Sequence, residues 1–292
     1  MLGLAVGDAL GTTLEFTARD SRPLHTEMTG GGPFSLLPGV WTDDTSMALA
    51  LAESLASSGG LDEHDLMNRF VRWRRHIDYS PTGECFDVGN ATGESLLRFE
   101  KTGDPIAGDA DPQKAGNGSL MRLSPVAIFH RGEPGNAVEA ARRQSATTHA
   151  APECLAACAY YAGLLVRAIG GEPKGQVLAP CPWPDGGAVA KIADGSWRSK
   201  TREQIRSTGY VIHSLEAALW AVGGANTFEE AIVTAVNLGE DADTVGAIAG
   251  QLAGASWGAS AIPRRWLEIL AWRERLEIAV DALLGLRRQG PT

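Results

Sequence analysis

Apolar positions recur along this chain at helical spacing. Between Asp44 and Leu55, Met47, Leu51 and Leu55 stand four residues apart, and between Leu61 and Ile77 the side chains of Leu66, Phe70, Trp73 and Ile77 share one side behind an acidic first turn. A period near 3.6 with acidic residues at the start predicts an amphipathic helix in each stretch. Segments 153–169, 211–222 and 265–286 carry the same signal. Thr227, with Glu230 three residues on, forms a capping-box signature ahead of Ala231, Ile232, Ala235 and Val236. Alternation of the strand kind is nearly absent. The expected class is all-α, a compact helical bundle forming one domain over residues 1–292.

One predicted helix has an unusual face. From Thr244 onward, Gly246, Gly250, Gly254 and Gly258 recur every fourth residue. An interior glycine costs a helix about 1 kcal/mol relative to alanine, and close approach of another helix is the expected offset. In a membrane such a strip would suggest dimerisation. Here the segment is short of a span and follows three acidic residues, so it is expected to be a central buried helix with an acidic cluster at its N-terminus. Residues 30–33, 103–112 and 180–186 are rich in glycine and proline and predict turns. The last of these could be a lid, but a rigid helix connector is the simpler reading.

Composition narrows the function. Hydrophobic residues make up 44% of the 292, enough for a substantial core. No apolar run reaches the ~18 residues of a membrane span, and the N-terminus lacks the basic stretch of a signal peptide, so a soluble, cytoplasmic protein is expected. The net charge of −9 argues against a general nucleic-acid binder. Arg72, Arg74 and Arg75 read as a solvated helix face. Cys85, Cys154, Cys158 and Cys181 show no CxxC spacing, and Cys154 with Cys158 read as small core residues.

Two acidic clusters carry the candidate chemistry. Thr42-Asp43-Asp44-Thr45 and Asp241-Ala242-Asp243-Thr244 each open a helical pattern among small or apolar residues. One helix cap needs one such residue. Consecutive carboxylates and hydroxyls, twice, exceed that need and point to a cation. Oxygen-only donors suit Mg²⁺, Mn²⁺ or Ca²⁺, and no neighbouring His or Cys favours zinc. If the two clusters meet, they form a binuclear centre at the middle of the bundle.

The segments Gly3-Leu4-Ala5-Val6-Gly7-Asp8-Ala9-Leu10-Gly11, Trp41-Thr42-Asp43-Asp44-Thr45, Phe86-Asp87-Val88-Gly89-Asn90, Gly116-Asn117-Gly118-Ser119-Leu120-Met121-Arg122, Thr147-Thr148-His149, Gly209-Tyr210-Val211 and Asn237-Leu238-Gly239-Glu240-Asp241-Ala242-Asp243-Thr244 stand in this order. Together they resemble the ADP-ribosylglycohydrolase family, in particular its bacterial branch that activates dinitrogenase reductase. The resemblance covers essentially the whole chain.

It implies an all-α fold and two Mg²⁺ or Mn²⁺ ions held by Thr42, Asp43, Asp44, Asp241, Asp243 and Thr244. It further implies hydrolysis of the N-glycosidic bond between ADP-ribose and a protein side chain, usually arginine, with an ADP-ribosylated protein as partner. Other family linkages are a serine acetal, O-acetyl-ADP-ribose or a nucleic-acid adduct. A binding or immunity module that sequesters ADP-ribose without turnover is the non-enzymatic alternative, disfavoured by the intact ligand set. Asp87 matches a family carboxylate in acid/base work, and Glu15 one near the metals. Without the family, Asp87 could be the cap of a helix running through Leu96, and Glu15 a helix-end charge. Gly116, Asn117, Gly118 and Ser119, next to an expected helix start at Leu120, match a phosphate-cradling loop. His149 and Tyr210 match positions near the ligand. The sequence departs from the pattern in two places: it begins almost directly at the first motif, and Trp257 stands where relatives more often have Tyr, so contacts at the ligand edge are expected to differ.

Overall fold

A computed structural model describes residues 1–286. Its helices, in chain order, are α1 (Leu2–Gly11), α2 (Asp43–Ser58), α3 (Glu63–His76), α4 (Asn90–Thr102), α5 (Ser124–Phe129), α6 (Pro134–Ala146), α7 (Pro152–Ile169), α8 (Lys174–Val177), α9 (Gly187–Ala193), α10 (Val211–Gly224), α11 (Phe228–Val236), α12 (Ala242–Trp257), α13 (Arg264–Ile269) and α14 (Arg273–Leu283). Among the described residues there is no strand, only three isolated bridges. The fold is all-α, as the periodicity predicts.

Local chemistry explains most helix ends. The Asp62 carboxylate accepts the Asp65 amide at 3.0 Å to open α3, and Ile77, at φ 66°, closes it. The Thr227 hydroxyl accepts the Glu230 amide at 3.0 Å. The Glu230 carboxylate, however, takes the amide of Asn226, one residue ahead of the cap, so the box is shifted rather than closed. The expected helix over 265–286 is two helices. Trp41 Nε1 donates to the Ala271 carbonyl and the Ala271 amide donates to the Gly39 carbonyl, each at 2.9 Å. Trp272 takes a left-handed φ of 52° with its ring edge-on to Trp41. The tertiary contact overrides the local periodicity there. Nor does a helix start at Leu120. Residues 117–122 form a tight turn in which the Leu120 and Met121 amides both donate to the Asn117 carbonyl, and α5 begins at Ser124.

The organising contact is α1 against α12. The glycine strip of α12 meets a second strip, Gly3, Gly7 and Gly11, on α1. A Cβ added to Gly7 would lie 2.0 Å from the Gly246 carbonyl oxygen, one on Gly3 2.2 Å from that of Gly250, and one on Gly11 2.4 Å from the Cα of Asp243. Nothing larger than hydrogen fits between these backbones. Gly258 lies off the strip and ends α12 at φ 77°. Helix α1 has no polar face, because it is enclosed on all sides except at Leu2, and that is why periodicity did not mark it. The buried apolar side chains form one cluster around this pair. As a consequence, Asp8 at the middle of α1, the N-terminus of α2 and the N-terminus of α12 are brought to one place.

Candidate metal centre and ligand cleft

Asp8 is the residue around which the centre is built, and the sequence reading gave it no role. The Thr42 amide and hydroxyl donate to its Oδ1 at 2.9 and 3.0 Å, and the Thr45 amide and hydroxyl donate to Oδ2 at 3.0 and 2.6 Å. A carboxylate on α1 therefore caps α2 from outside, and Thr42, at the cap position, makes no side-chain cap of its own. That frees the side chains of Asp43 and Asp44 from capping. The available signal was a lone carboxylate between Gly7 and Gly11 in an otherwise apolar helix. A charge there has to be satisfied by something specific.

The two acidic clusters meet. Carboxylate oxygens of Asp8, Asp44 and Asp243 lie within 4.8 Å of one another, and so do those of Glu15, Asp241 and Asp243. Asp243 is common to both groups. The Thr42 hydroxyl reaches Asp44 Oδ2 at 3.2 Å and Asp243 Oδ2 at 3.5 Å, while the Thr244 hydroxyl reaches Asp44 Oδ2 at 3.4 Å. Glu15 Oε2 accepts the Ala242 amide at 2.9 Å, so the start of α12 is also capped from a distance. Glu15 belongs with the carboxylates of α12, not with an exposed helix end.

This concentration of acid has no ion-pair partner, although the buried Arg122 guanidinium lies in the field of Asp43. No ion pair among the described residues includes Asp8, Glu15, Asp43, Asp44, Asp87, Asp241 or Asp243. Burial, reinforced by mutual repulsion, holds Asp43, Asp44 and Asp243 well above the usual carboxylate range. Burial likewise raises Glu15 to about 9, Asp87 to about 7 and Asp8 to about 6. Asp241 is raised by burial too, opposed by its hydrogen bond from Asn117. Asp44 Oδ1 is buried with no hydrogen-bond partner. A hard divalent cation answers both observations, since it supplies the missing charge and a partner for the orphaned oxygen. The residues fit such an ion.

A cleft of about 650 Å³ opens onto this centre, large enough for a nucleotide-sized ligand. Glu15, Asp43, Asp87, Asp241, Asp243 and Thr244 line it, together with Gly116, Asn117, Gly118 and His149. Thr42 and Asp44 sit behind that wall. Asn117 links loop to centre: its Nδ2 donates to Asp241 Oδ2 at 2.7 Å and to the Ser214 hydroxyl at 2.8 Å. The His149 ring lies against the glycines, where a Cβ on Gly118 would come within 2.7 Å of its Cε1. Burial, with Arg122 nearby, pushes His149 down to about 3, so the ring is neutral. Its Nδ1 pairs with the Thr148 hydroxyl at 2.8 Å.

Other candidate residues are placed differently. Ser119 is fully buried under the loop, its hydroxyl 2.7 Å from that of Ser145. Tyr210 lines an adjoining recess with Gly116 and Lys114, its ring edge-on to His213. Asp87 does not cap α4, which starts at Asn90 behind Gly89; it takes φ 56° and faces the cleft. Trp257 stacks under the Lys174 ammonium, 5.1 Å from the ring centroid, and is not among the cleft residues. Arg122, at the end of the glycine-rich segment, holds the loop in place. It is fully buried, and its guanidinium joins Gln144 Oε1, the Gln144 carbonyl and the Gly118 carbonyl above the Phe70 ring, pinning the glycine loop from below.

An all-α fold whose two paired helices converge carboxylates on a nucleotide-sized cleft defines a class, and comparison with known proteins identifies it. The ADP-ribosylglycohydrolase family model matches residues 1–292, and the chain belongs to that family. It is 45% identical to the ADP-ribosylarginine hydrolase Tri1 of Serratia proteamaculans over 284 residues, covering 97% of this chain and 77% of that protein. It is 35% identical to the ADP-ribosyl-[dinitrogen reductase] glycohydrolase of Rhodospirillum rubrum, covering 98% of this chain and 94% of that one. A solved structure described as an ADP-ribosylglycohydrolase-related protein complex superposes with a TM-score of 0.87 at 45% identity, covering 98% of this chain and 95% of its own. Among the described residues no helix is long and apolar enough to cross a membrane.

Proposed function

We propose that this chain hydrolyses the N-glycosidic bond joining ADP-ribose to an arginine side chain of a modified protein. The observation that carries the reading is the pair of carboxylate groups sharing Asp243 at the floor of the cleft, in a chain 45% identical to an ADP-ribosylarginine hydrolase. Thr42, Asp43, Asp44, Asp243 and Thr244 on one side and Glu15, Asp241 and Asp243 on the other would hold two Mg²⁺ or Mn²⁺ ions. Bound there, the ions would supply Lewis-acid polarisation of sugar hydroxyls and of water.

The protein's own groups do the rest. Gly116, Asn117 and Gly118 present a loop free of bulk to the diphosphate, and neutral His149 beneath it adds no competing charge. Asp87, whose carboxyl is held above the usual range by burial, lines the cleft and is the proton carrier. It donates that proton to the guanidine nitrogen as the C1″–N bond breaks and the nitrogen keeps the electron pair. Water then forms the new C1″–O bond and passes its proton to the Asp87 carboxylate, which restores the acid, so ADP-ribose and free arginine are the products. Between the two proton transfers the Asp87 carboxylate faces the cleft as an anion and stabilises the oxocarbenium character at C1″.

Incubation with arginine-linked and serine-linked ADP-ribosyl peptides, with Mn²⁺ and with EDTA, tests this directly. Release from the arginine peptide with Mn²⁺ is expected. Release from the serine peptide alone would reassign the linkage, and no release from either would overturn the enzymatic reading.

A further inference from the structure

We propose that Phe16 and Glu240 form the subsite for the guanidinium of the modified arginine, and so determine the preference for that linkage. The inference rests on the arginine reading above and adds the group that recognises the leaving side chain. Phe16 is 68% exposed, although it is a large apolar residue at the edge of the buried core. It also has φ 57°, and Glu240 has φ 57°. Left-handed backbone at a residue other than glycine is disfavoured and needs enforcement by its surroundings. The enforcement is a reciprocal pair of bonds: the Phe16 amide donates to the Glu240 carbonyl at 2.7 Å, and the Glu240 amide donates to the Thr17 carbonyl at 2.8 Å. Neither burial nor helix geometry accounts for holding an exposed phenylalanine this way. Both residues line the cleft.

Their neighbours specify what they would meet. Phe16 follows Glu15 and Glu240 precedes Asp241, so each is one residue from the carboxylate centre. Phe34 packs edge-on to Phe16 with centroids 6.3 Å apart, and Phe86, next to Asp87, lies 5.1 Å from Phe34. The result is an aromatic wall joined at both ends to groups of the reaction site. Arg19 lies in the electrostatic field of Glu240, but its guanidinium is engaged by the carbonyls of Leu238, Arg202 and Ile205. A planar, delocalised, weakly hydrated cation stacks on an aromatic face and pairs with a carboxylate. An alkyl guanidinium bearing ribose keeps that charge and plane, whereas a seryl oxygen offers neither.

The test uses the full chain with Mn²⁺. Wild-type protein is first assayed on an arginine-linked ADP-ribosyl peptide, and failure there would sink the underlying reading before the subsite is at issue. Given activity, Phe16→Ala and Phe16→Leu are expected to lower kcat/KM about tenfold, the factor typical of a cation over a ring. The loss should fall mainly on KM, because the cation is bound in both ground and transition states. Glu240→Gln should act in the same direction, and Phe16→Trp should retain wild-type recognition. Calorimetric affinity for ADP-ribose itself should be unchanged in all four variants. Full activity in Phe16→Leu, or a parallel loss of ADP-ribose affinity, would overturn the proposal.

Discussion

Replacing Gly7 with alanine tests the physical basis of the whole centre. The added Cβ would sit 2.0 Å from the Gly246 carbonyl oxygen, where even a tight contact needs about 3.0 Å, so the backbones of α1 and α12 must part by roughly 1 Å. The obstructing atom is main chain and cannot rotate away. Overpacking of this kind costs about 1–3 kcal/mol, and the rigid partner puts Gly7→Ala at the upper end. The gain in helix propensity, about 1 kcal/mol, offsets only part of that. Because Asp8 follows Gly7 and Asp243 lies at the start of α12, the separation also loosens the carboxylate groups. Urea unfolding followed by circular dichroism should show a lower midpoint with an unchanged slope. Mn²⁺ affinity by calorimetry should fall as well. Gly254→Ala is the control within the same strip: its Cβ would have 3.5 Å to the nearest atom, so the substitution should be neutral or stabilising by about 0.5–1 kcal/mol. If both variants match wild type in stability, close packing of backbones is not what the glycines are for.

Asp243→Ala removes the carboxylate common to both groups and should abolish Mn²⁺ binding together with turnover; a wild-type rate at saturating Mn²⁺ would contradict the assignment. Asp87→Asn should slow chemistry by about 10²–10⁴-fold while ADP-ribose binds within a few-fold of wild type, read by single-turnover rates beside calorimetry. The folded-state values of Glu15, Asp87 and Asp8 lie at about 9, 7 and 6, above the unfolded values near 4. With Asp43, Asp44 and Asp243 also raised, these carboxyls outnumber His149 and the N-terminal amine, which burial lowers to about 3 and about 5, so the folded state binds more protons between about pH 4 and 9 and the stability of EDTA-treated protein should fall as pH rises through that window. Added Mn²⁺ should reverse the trend, since cations replace the protons, and a midpoint rising with pH in EDTA would refute this. Arg122→Met should destabilise the protein by about 2–4 kcal/mol by taking the guanidinium donors from the Gly118 carbonyl and Gln144 Oε1, measured by the same urea titration.

What could be seen in the sequence followed from local interactions. Helix α3 announces itself because one face meets the core and the other water, whereas α2, α7 and α10, largely buried, show only through the spacing of their apolar residues. Helix α1 gave no such contrast, being buried almost all round. The break between α13 and α14 was hidden because Trp41 and Gly39, more than 200 residues away, take the backbone groups of Ala271. Asp8 was passed over for a related reason: its four hydrogen bonds go to Thr42 and Thr45 on another helix.

By itself the sequence determined the all-α class, the turn segments and a surplus of hard oxygen donors in two places. These are properties of composition and of spacing along a few helical turns. Only the tertiary structure decided that the two clusters are one centre. The reason is the glycine contact of α1 with α12, which no single segment contains. It also decided that Glu15 sides with Asp241 and Asp243, that Ser119 lies beneath the loop, and that Phe16 is held out into the cleft. Each of those depends on a partner distant in the chain, and sequence spacing carries no record of that distance.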